Sequence, residues 1–196
     1  MESDSTIFLD SVKKFCPKVT DGELSEFASK FTFEELDKKD FFLQSGKIQK
    51  SIGFITKGLV RSSFTDPHGN EITVGFYSEG DYATHYASFL TQEPSKYSIQ
   101  CLEPTTFICL SFQDLQWIYE NLPGFEKYGR LVAEEILKRQ QARIESFIFQ
   151  TAEERYLDFI KCHSAVFNRI SISQLCSFLG IERQSLTRIR QKLAHR

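Results

Sequence analysis

The chain has 196 residues, with 24 Lys and Arg against 26 Asp and Glu, so its formal net charge is −2. Hydrophobic residues make up 41% and charged residues 26%, which excludes a disordered chain and allows one ordinary domain plus a small one. No apolar run reaches the roughly 18–20 residues that a membrane-spanning helix needs, and the N-terminal MESDSTIFLD does not resemble a secretory signal. We therefore expect a soluble, cytoplasmic protein without a membrane partner.

Cysteines and histidines are scattered along the chain rather than grouped. Five cysteines occur without a C-x-x-C pair, and four histidines occur without an H-x-H or H-E-x-x-H pattern. An odd number of ungrouped cysteines indicates reduced thiols, and the apolar contexts of Cys101 and Cys109 predict that both are buried. No nucleophile–base pair is apparent. We therefore expect no metal, no cofactor and no catalytic residue, and the protein is not predicted to be an enzyme.

The first thirty residues predict short helices, and a β-rich region follows them. Ser5 or Asp4 can cap the first helix and Asp21 the second. From about Phe33 the apolar period changes, and the β-rich runs are FFLQSG, SIGFIT, GLVRSSF, EITVGFY, YSIQCL and TTFICLSF. The stretch DPHGN (66–70) predicts a hairpin turn in which the glycine and the asparagine take positive φ. The regular spacing of these runs predicts an antiparallel barrel or sandwich of about 80 residues.

Helical periodicity returns at residues 112–121 and continues, after the break at Pro123-Gly124, into a helix of about 25 residues. The apolar positions of this long helix fall at alternating steps of three and four, interrupted by two glutamines. They are Ala133, Ile136 or Leu137, Ile144, and Phe147 or Ile148. A narrow apolar seam on a long helix favours packing against a second copy of the chain. The alternative is that the seam packs on the chain's own barrel.

Residues 171–194, SISQLCSFLGIERQSLTRIRQKLA, predict two short helices joined by a glycine turn. Ser171 or Ser173 can cap the first helix, Gly180 ends it, and the second begins near residues 182–184. The apolar face of the second helix carries Leu186, Ile189 and Leu193, and its polar face carries Arg183, Gln184, Thr187, Arg188 and Gln191.

This spacing is that of a helix-turn-helix motif, whose second helix can enter the major groove of double-stranded DNA. Arginine there pairs with guanine and glutamine with adenine, while Ser171, Ser173 and Ser185 are candidates for phosphate contacts. The charge distribution agrees, since residues 138–196 hold eleven Lys and Arg against five Asp and Glu, a balance of +6 that leaves −8 for the remainder. The alternative is an amphipathic helical hairpin in the core of an unrelated fold.

The order of these elements resembles the cyclic AMP receptor protein/Fnr (Crp/Fnr) family of bacterial transcription regulators over about residues 30–196. The most specific motifs are Glu79-Gly80-Asp81-Tyr82, similar to the glycine–aspartate–aromatic turn of the family's sensor barrel, and TAEERYLDFI (151–160), similar to members found in Bacteroidetes-type bacteria. The resemblance implies an α+β fold with an N-terminal antiparallel β jelly roll or barrel like a cyclic nucleotide-binding domain, flanked by helices. A long dimerisation helix and a C-terminal helix-turn-helix domain follow. The implied boundaries are residues 1–122, 123–150 and 151–196.

The resemblance further implies a homodimer that binds a palindromic operator, and it allows RNA polymerase as a partner. The family's recognition-helix arginine, glutamate and second arginine fall on Arg183, Gln184 and Arg188. Glutamine suits adenine where glutamate suits cytosine, so the preferred half-site is expected to differ from that of the cyclic AMP receptor.

The positions that correspond to the family's nucleotide pocket differ from the nucleotide-binding members. Thr84-His85 stand where those members have a glycine–glutamate pair, Ser95-Lys96 where they have arginine–serine, and Gln140-Gln141 where they have threonine–serine; Gly80 keeps the turn. Lysine is a point charge without the bidentate geometry of arginine. We therefore expect that cyclic AMP does not bind, which leaves another small anion or metabolite, or no ligand.

The family usually continues beyond the recognition helix into a β-hairpin wing, and the given sequence stops at Ala194-His195-Arg196, so most of the wing is expected to be absent. Arg190, Lys192 and Arg196 could partly replace its phosphate contacts. The alternative to a DNA-binding regulator is a ligand-sensing or scaffold protein of the same fold that does not bind DNA.

Overall fold

The computed structural model describes residues 8–9, 12–13 and 15–194, so the predicted cap at Ser5 or Asp4 lies outside the described residues. Helix α1 spans Asp21–Ala28. Its cap is Thr20 rather than the predicted Asp21, because the extended backbone of Thr20 lets its hydroxyl accept the Glu23 N–H at 3.2 Å while the Glu23 carboxylate accepts the Thr20 N–H.

Eight strands and one short helix form the β-roll, residues 32–111. The strands are β1 (Thr32–Leu36), β2 (Phe41–Leu43), β3 (Ser51–Lys57), β4 (Leu59–Thr65), β5 (Glu71–Ser78), β6 (Tyr82–Ala83), β7 (Ser98–Cys101) and β8 (Thr105–Ser111), and helix α2 (Tyr86–Thr91) lies between β6 and β7. They form two four-stranded antiparallel sheets in the orders β1-β8-β3-β6 and β2-β7-β4-β5. The predicted antiparallel β architecture is thus a sandwich of two sheets.

The inner faces of the two sheets meet in a dry core. Ile55, Val60, Ile99 and Phe107 are fully buried there, and Cys101 and Cys109 are buried as expected. Burial raises the pKa of the Cys109 thiol to about 12, and the neighbouring Glu34 adds to this effect, so the thiol stays protonated.

The sequence patterns do not predict β1, β6 and α2. Strand β1 pairs along one side only, with β8, and two of its five residues are glutamates, so it has little apolar alternation to detect. Strand β6 has two residues, and α2 lacks a side-chain cap at His85, its N-terminal boundary. All three depend on partners that are distant in the chain.

The DPHGN stretch forms the β4–β5 turn, with one correction. Gly69 has a φ of +85°, but Asn70 is not among the residues with positive φ. Asn70 instead donates its backbone N–H and its side-chain amide to the Asp66 carboxylate. These bonds, with one from His68, lower the pKa of Asp66.

Six helices complete the chain. They are α3 (Phe112–Asn121), α4 (Pro123–Phe149), α5 (Ala152–Cys162), α6 (Ser164–Phe167), α7 (Ile172–Leu179) and α8 (Arg183–Ala194). Proline at the first position of α4 fits a helix start, because the first N–H groups of a helix have no partner within it. The first turns of α4 bury Phe125 and Tyr128 against α1 and α3, in a core that also includes Phe27 and Ile118.

The second half of α4 carries apolar side chains that the described chain leaves uncovered. Leu137 is 63% exposed, Ile144 61%, Ile148 65% and Phe149 78%. The alternative that this seam packs on the chain's own barrel therefore fails for these positions.

Helices α5–α8, residues 151–194, form a C-terminal bundle that packs against the outer face of β4 and β5. Leu59 and Phe76 of the β-roll share a core with Phe159, Leu175 and Leu179 of the bundle. Among the described residues, no helix is both long and apolar enough to cross a membrane. The same residues contain no group of three His, Cys, Asp or Glu side chains suited to hold a metal ion.

Candidate nucleic-acid interface

Helix α7, the following turn and helix α8 are built from local signals. Ser171 caps α7, where its hydroxyl accepts the Gln174 N–H at 3.2 Å while the Gln174 side chain accepts the Ser171 N–H. Gly180 ends α7 with a φ of +67°, and a Cβ there would lie 2.8 Å from a ring carbon of Phe147. The positive φ therefore favours glycine at this position, and any larger residue would also displace the Phe147 ring.

The two helices pack through small and apolar side chains. Leu175, Cys176 and Leu179 of α7 and Leu186 of α8 are buried together. Burial raises the pKa of the Cys176 thiol, so this residue packs as a small uncharged side chain.

The opposite side of α8 is open to solvent. We call this side the recognition face: Arg183, Gln184, Thr187, Arg188 and Gln191, all of which are exposed. Ser171 and Ser173 are also exposed, and Ser185 is partly buried. The Thr187 hydroxyl donates to the Arg183 carbonyl at 3.0 Å. Guanidinium and amide groups on one exposed helix face match the hydrogen-bonding groups of base edges in a major groove.

Two of the three basic residues predicted to contact phosphates near the end of α8 are engaged within the bundle. Arg190 Nε donates to the Tyr156 hydroxyl at 3.1 Å, and Lys192 Nζ pairs with a Glu153 carboxylate oxygen at 2.5 Å. Arg196 lies outside the described residues. A phosphate contact from Arg190 or Lys192 would therefore have to compete with an internal partner.

A second site, at the β6–α2 junction, brings together two of the residues that the sequence predicts for a nucleotide-type pocket, His85 and Ser95. His85 Nδ1 and the Ser95 hydroxyl share a hydrogen bond of 2.8 Å, and the ring of Tyr97 meets the His85 ring edge-on at 4.7 Å between centroids. Burial lowers the pKa of His85, which favours the neutral ring. Gly80 has a φ of +87°, and the buried Thr84 hydroxyl has no partner among the described residues.

Other expected pocket residues are open to solvent. Lys96 is exposed, as are Gln140 and Gln141 on α4, where Gln141 donates to Glu145. From α4, Arg139 reaches the Glu79–Tyr82 turn, where its Nη1 lies 2.5 Å from an Asp81 carboxylate oxygen.

Sequence reasoning missed Gln49, which is 2% exposed. Its side-chain oxygen accepts the His85 N–H at 2.5 Å, and its side-chain nitrogen donates to the Ser51 carbonyl at 3.0 Å. The Gln49 side chain thus accepts a hydrogen bond from the backbone N–H of His85, at the start of α2. No local pattern marks this residue, because His85 lies 36 positions away.

Sequence reasoning also assigned no role to Arg169, in the loop between α6 and α7. Its guanidinium contacts two carboxylates of the β-roll, Glu79 and Glu103. A single arginine in a loop carries no signal of such contacts.

These features define a class of protein: a two-sheet β-roll joined by one long helix to a C-terminal helix-turn-helix unit. Residues 33–121 match the family model described as cyclic nucleotide-binding domain. No curated protein matches the sequence.

Three solved structures of regulators have a similar fold. A Crp/Fnr-family regulator from Eubacterium rectale is 13% identical with a TM-score of 0.70, over 91% of this chain and 85% of that chain. The c-di-GMP responsive global regulator CLP of Xanthomonas campestris is 13% identical with a TM-score of 0.69, over 90% and 92%. FixK2 from Bradyrhizobium japonicum is 15% identical with a TM-score of 0.67, over 84% and 85%.

Residues 33–121 therefore match the cyclic nucleotide-binding domain family, and the chain has the fold of the Crp/Fnr regulators. The resemblance seen in the sequence is confirmed at this level.

Proposed function

We propose that this protein is a DNA-binding transcription regulator of the Crp/Fnr type and not an enzyme. The observation that carries the proposal is the division of α8 into two sides. Leu186 is 2% exposed and holds α8 on α7, while all five residues of the recognition face point to solvent. An arginine- and glutamine-rich face has no packing role there, and its chemistry suits base edges.

The proposed binding species is a homodimer joined through α4. Leu137, Ile144 and Ile148 are spaced by seven and four residues and lie on one side of the helix, with Gln141 between them. Such a seam buries its apolar surface when two copies pack side by side. Two-fold symmetry then places two recognition helices in successive major grooves, about 34 Å apart, on a palindromic operator.

Gln184 is proposed to favour adenine at its position in the half-site, because the carboxamide can donate to and accept from the adenine edge. Arg183 and Arg188 are proposed to contact guanine. Ser171, Ser173 and Ser185, at or near the starts of α7 and α8, are proposed to contact phosphates, together with Thr187 and Gln191 where the groove walls approach.

The β-roll is proposed to be a degenerate sensor that does not bind cyclic AMP. The position of the phosphate-binding arginine is taken by Ser95, which is 2% exposed and already bonded to His85 and to the Tyr97 backbone. Gln49 satisfies the N–H at the start of α2, where a nucleotide phosphate would otherwise find a donor. The remaining candidate positions are Gly80, Thr84, Lys96, Gln140 and Gln141.

The boundaries proposed for the three parts are residues 1–122 for the sensor domain, 123–150 for the dimerisation helix and 151–196 for the DNA-binding domain. The protein is proposed to act in the cytoplasm, and RNA polymerase is the further partner that the family resemblance allows.

The test is selection of duplexes from a random-sequence DNA library by the full-length protein. We expect a palindromic consensus, and we expect Arg183→Ala and Arg188→Ala each to weaken binding to it by about 5- to 150-fold, the equivalent of about 1–3 kcal/mol. Arg130→Ala is the matched control, because Arg130 is an exposed arginine on α4 that pairs with Glu134; its removal should leave operator affinity within about twofold of wild type. Failure to enrich any sequence would instead favour the alternative, a ligand-sensing or scaffold protein without DNA binding.

A further inference from the structure

Arg169 joins the C-terminal bundle to the β-roll through four donor–acceptor contacts. Its Nη1 and Nη2 donate to the two carboxylate oxygens of Glu79, each at 2.9 Å. Its Nε donates to Glu103 at 3.3 Å, and its Nη2 also donates to Glu103. Arginine alone among the side chains can bind two carboxylates in this planar, bidentate manner.

The two carboxylates belong to turns of the β-roll. Glu79 directly precedes the Gly80-Asp81 turn and accepts the Gly58 N–H at 2.9 Å, and Glu103 lies in the β7–β8 turn. Partial burial alone would raise the pKa of Glu79, but the bonds from Arg169 and Gly58 outweigh it and lower the pKa to about 2. The contact is therefore charged throughout the physiological pH range.

A second contact joins the bundle to the edge of a sheet. Strand β5 is the last strand of its sheet, and the Ser177 hydroxyl of α7 accepts the Thr73 N–H and donates to the Glu71 carbonyl, both at 2.9 Å. These are edge groups that no neighbouring strand satisfies. The amide of Thr73 consequently has its protein partner only while the bundle is docked.

The centre of this interface is imperfectly paired. Arg61 lies on the same face of the sheet as Phe76 and is 6% exposed, and its Nη2 donates to Glu71. Among the described residues, neither Arg61 Nε nor the Thr73 hydroxyl has a hydrogen-bond partner. Buried polar atoms without partners oppose docking. The ion pairs of Arg169 therefore add to the apolar contacts that hold the bundle on the β-roll.

Docking leaves the recognition face free. The β-roll covers α7 at Ser177 and Phe178, and the five residues of the recognition face remain exposed. The docked arrangement is thus compatible with DNA binding, and it limits the orientations that α8 can take.

We propose, on the basis of the function proposed above, that Arg169 is a positioning residue: its contacts with Glu79 and Glu103 hold the bundle on the β-roll and so fix the spacing of the two recognition helices for the operator. Arg143 of α4 also contacts α7, with its guanidinium over the Phe178 ring and a hydrogen bond to the Phe178 carbonyl. Loss of Arg169 therefore loosens the bundle without detaching it from α4.

The first test needs no DNA. Amide hydrogen exchange of the full-length protein should show the Thr73 N–H protected in wild type, and Arg169→Ala should increase its exchange rate by about tenfold or more, while Val60, fully buried in the roll, keeps its rate. Arg169→Lys keeps the charge but not the bidentate geometry and should give an intermediate rate. Equal exchange at Thr73 in wild type and Arg169→Ala would overturn the proposal.

The second test separates positioning from charge. Glu79→Gln/Glu103→Gln removes two negative charges, so electrostatics alone predicts tighter DNA binding. If Arg169 acts by positioning, the double variant should instead bind the selected palindromic operator with an affinity lower on the order of tenfold, because the second half-site is bound at lower effective concentration. Its affinity for a duplex that holds one half-site should not be reduced.

The third measurement is the tolerance of half-site spacing. Wild type should lose operator binding when two base pairs are inserted between the half-sites, and both Arg169→Ala and the double glutamine variant should lose less. An unchanged response to the insertion in these variants would contradict the proposal. If wild type selects no DNA sequence, the proposed function fails, whereas the exchange measurement still decides whether Arg169 holds the bundle.

Discussion

At the level of single residues, the side chains that cap helices are the features that the sequence predicts best. Ser171 was one of two predicted caps for α7, and the structure selects it over Ser173 because its backbone is extended, with ψ of 156°, and its hydroxyl faces the Gln174 N–H. For α1 the same reasoning erred by one position, from Thr20 to Asp21. Candidates for a cap are therefore visible in sequence, but the choice between neighbours depends on backbone conformation.

Replacing Ser171 by alanine removes the cap of α7 and leaves its first N–H groups without this partner. We expect Ser171→Ala to lower the free energy of unfolding by about 1 kcal/mol, measured by urea denaturation. Ser173→Ala is the matched control, since Ser173 is exposed two positions later and is not the cap; it should change stability by less than about 0.5 kcal/mol. Equal effects of the two variants would contradict the assignment of the cap.

The Glu79 carboxyl predicts a pH dependence of stability. Its pKa in the folded protein is about 2, below its ordinary value of 4.5, so its contribution is complete above pH 4.5 and is lost as the pH falls toward 2. The difference in unfolding free energy between wild type and Glu79→Gln should therefore be largest near pH 6 and shrink by pH 3. Urea denaturation of both proteins at pH 6, 4 and 3 measures it, and a difference that does not change with pH would contradict the role of this carboxylate.

At the scale of elements, long periodic helices were predicted well and short strands poorly. The predicted helix of about 25 residues is α4 with 27 residues, and residues 112–121 form α3 as expected. Strand β6, with two residues, has too few positions to show a period. A period needs several repeats before it can be recognised, whereas a strand of two or three residues is stabilised by its neighbours in the sheet.

The apolar seam of α4 predicts a variant that separates the dimer. Ile144→Asp places a charge at a 61% exposed isoleucine, and since each copy loses about 1.5–3 kcal/mol of apolar burial, the dimer dissociation constant should rise at least about a hundredfold. Ala142→Asp is the matched control, because Ala142 is exposed on the opposite side of the helix. Sedimentation velocity distinguishes the two; a wild-type protein that sediments as a monomer at micromolar concentration would reject the dimer.

At the scale of the whole molecule, the β-roll and the C-terminal bundle are in direct contact, and the start of α2 carries its own network of hydrogen bonds. Gln49, His85 and Ser95 satisfy one another's polar groups at the start of α2. Because these three residues are already paired, we expect the proposed regulator to bind DNA without a cyclic nucleotide.

Cyclic AMP, cyclic GMP and cyclic di-GMP, each at about 1 mM, should therefore shift the melting temperature by less than about 1 °C, because a ligand stabilises only the state it binds. The selected operator duplex serves as the positive control and should raise the melting temperature in the same assay. A rise of several degrees with one of the nucleotides would show that the site accepts it and would contradict the degenerate-sensor proposal.

Sequence patterns are sufficient to predict the features that lie within short, contiguous stretches: the helix-turn-helix spacing of residues 171–194, the long helix and the antiparallel β character of the middle of the chain. Their signals are local because caps, turns and apolar periods act between residues a few positions apart. The tertiary structure decided the rest. Arg169 meets carboxylates 66 and 90 positions away, and Ser177 meets the edge of β5 more than 100 positions away. Such pairs form because the fold brings distant segments together, and no pattern in the neighbouring residues predicts them.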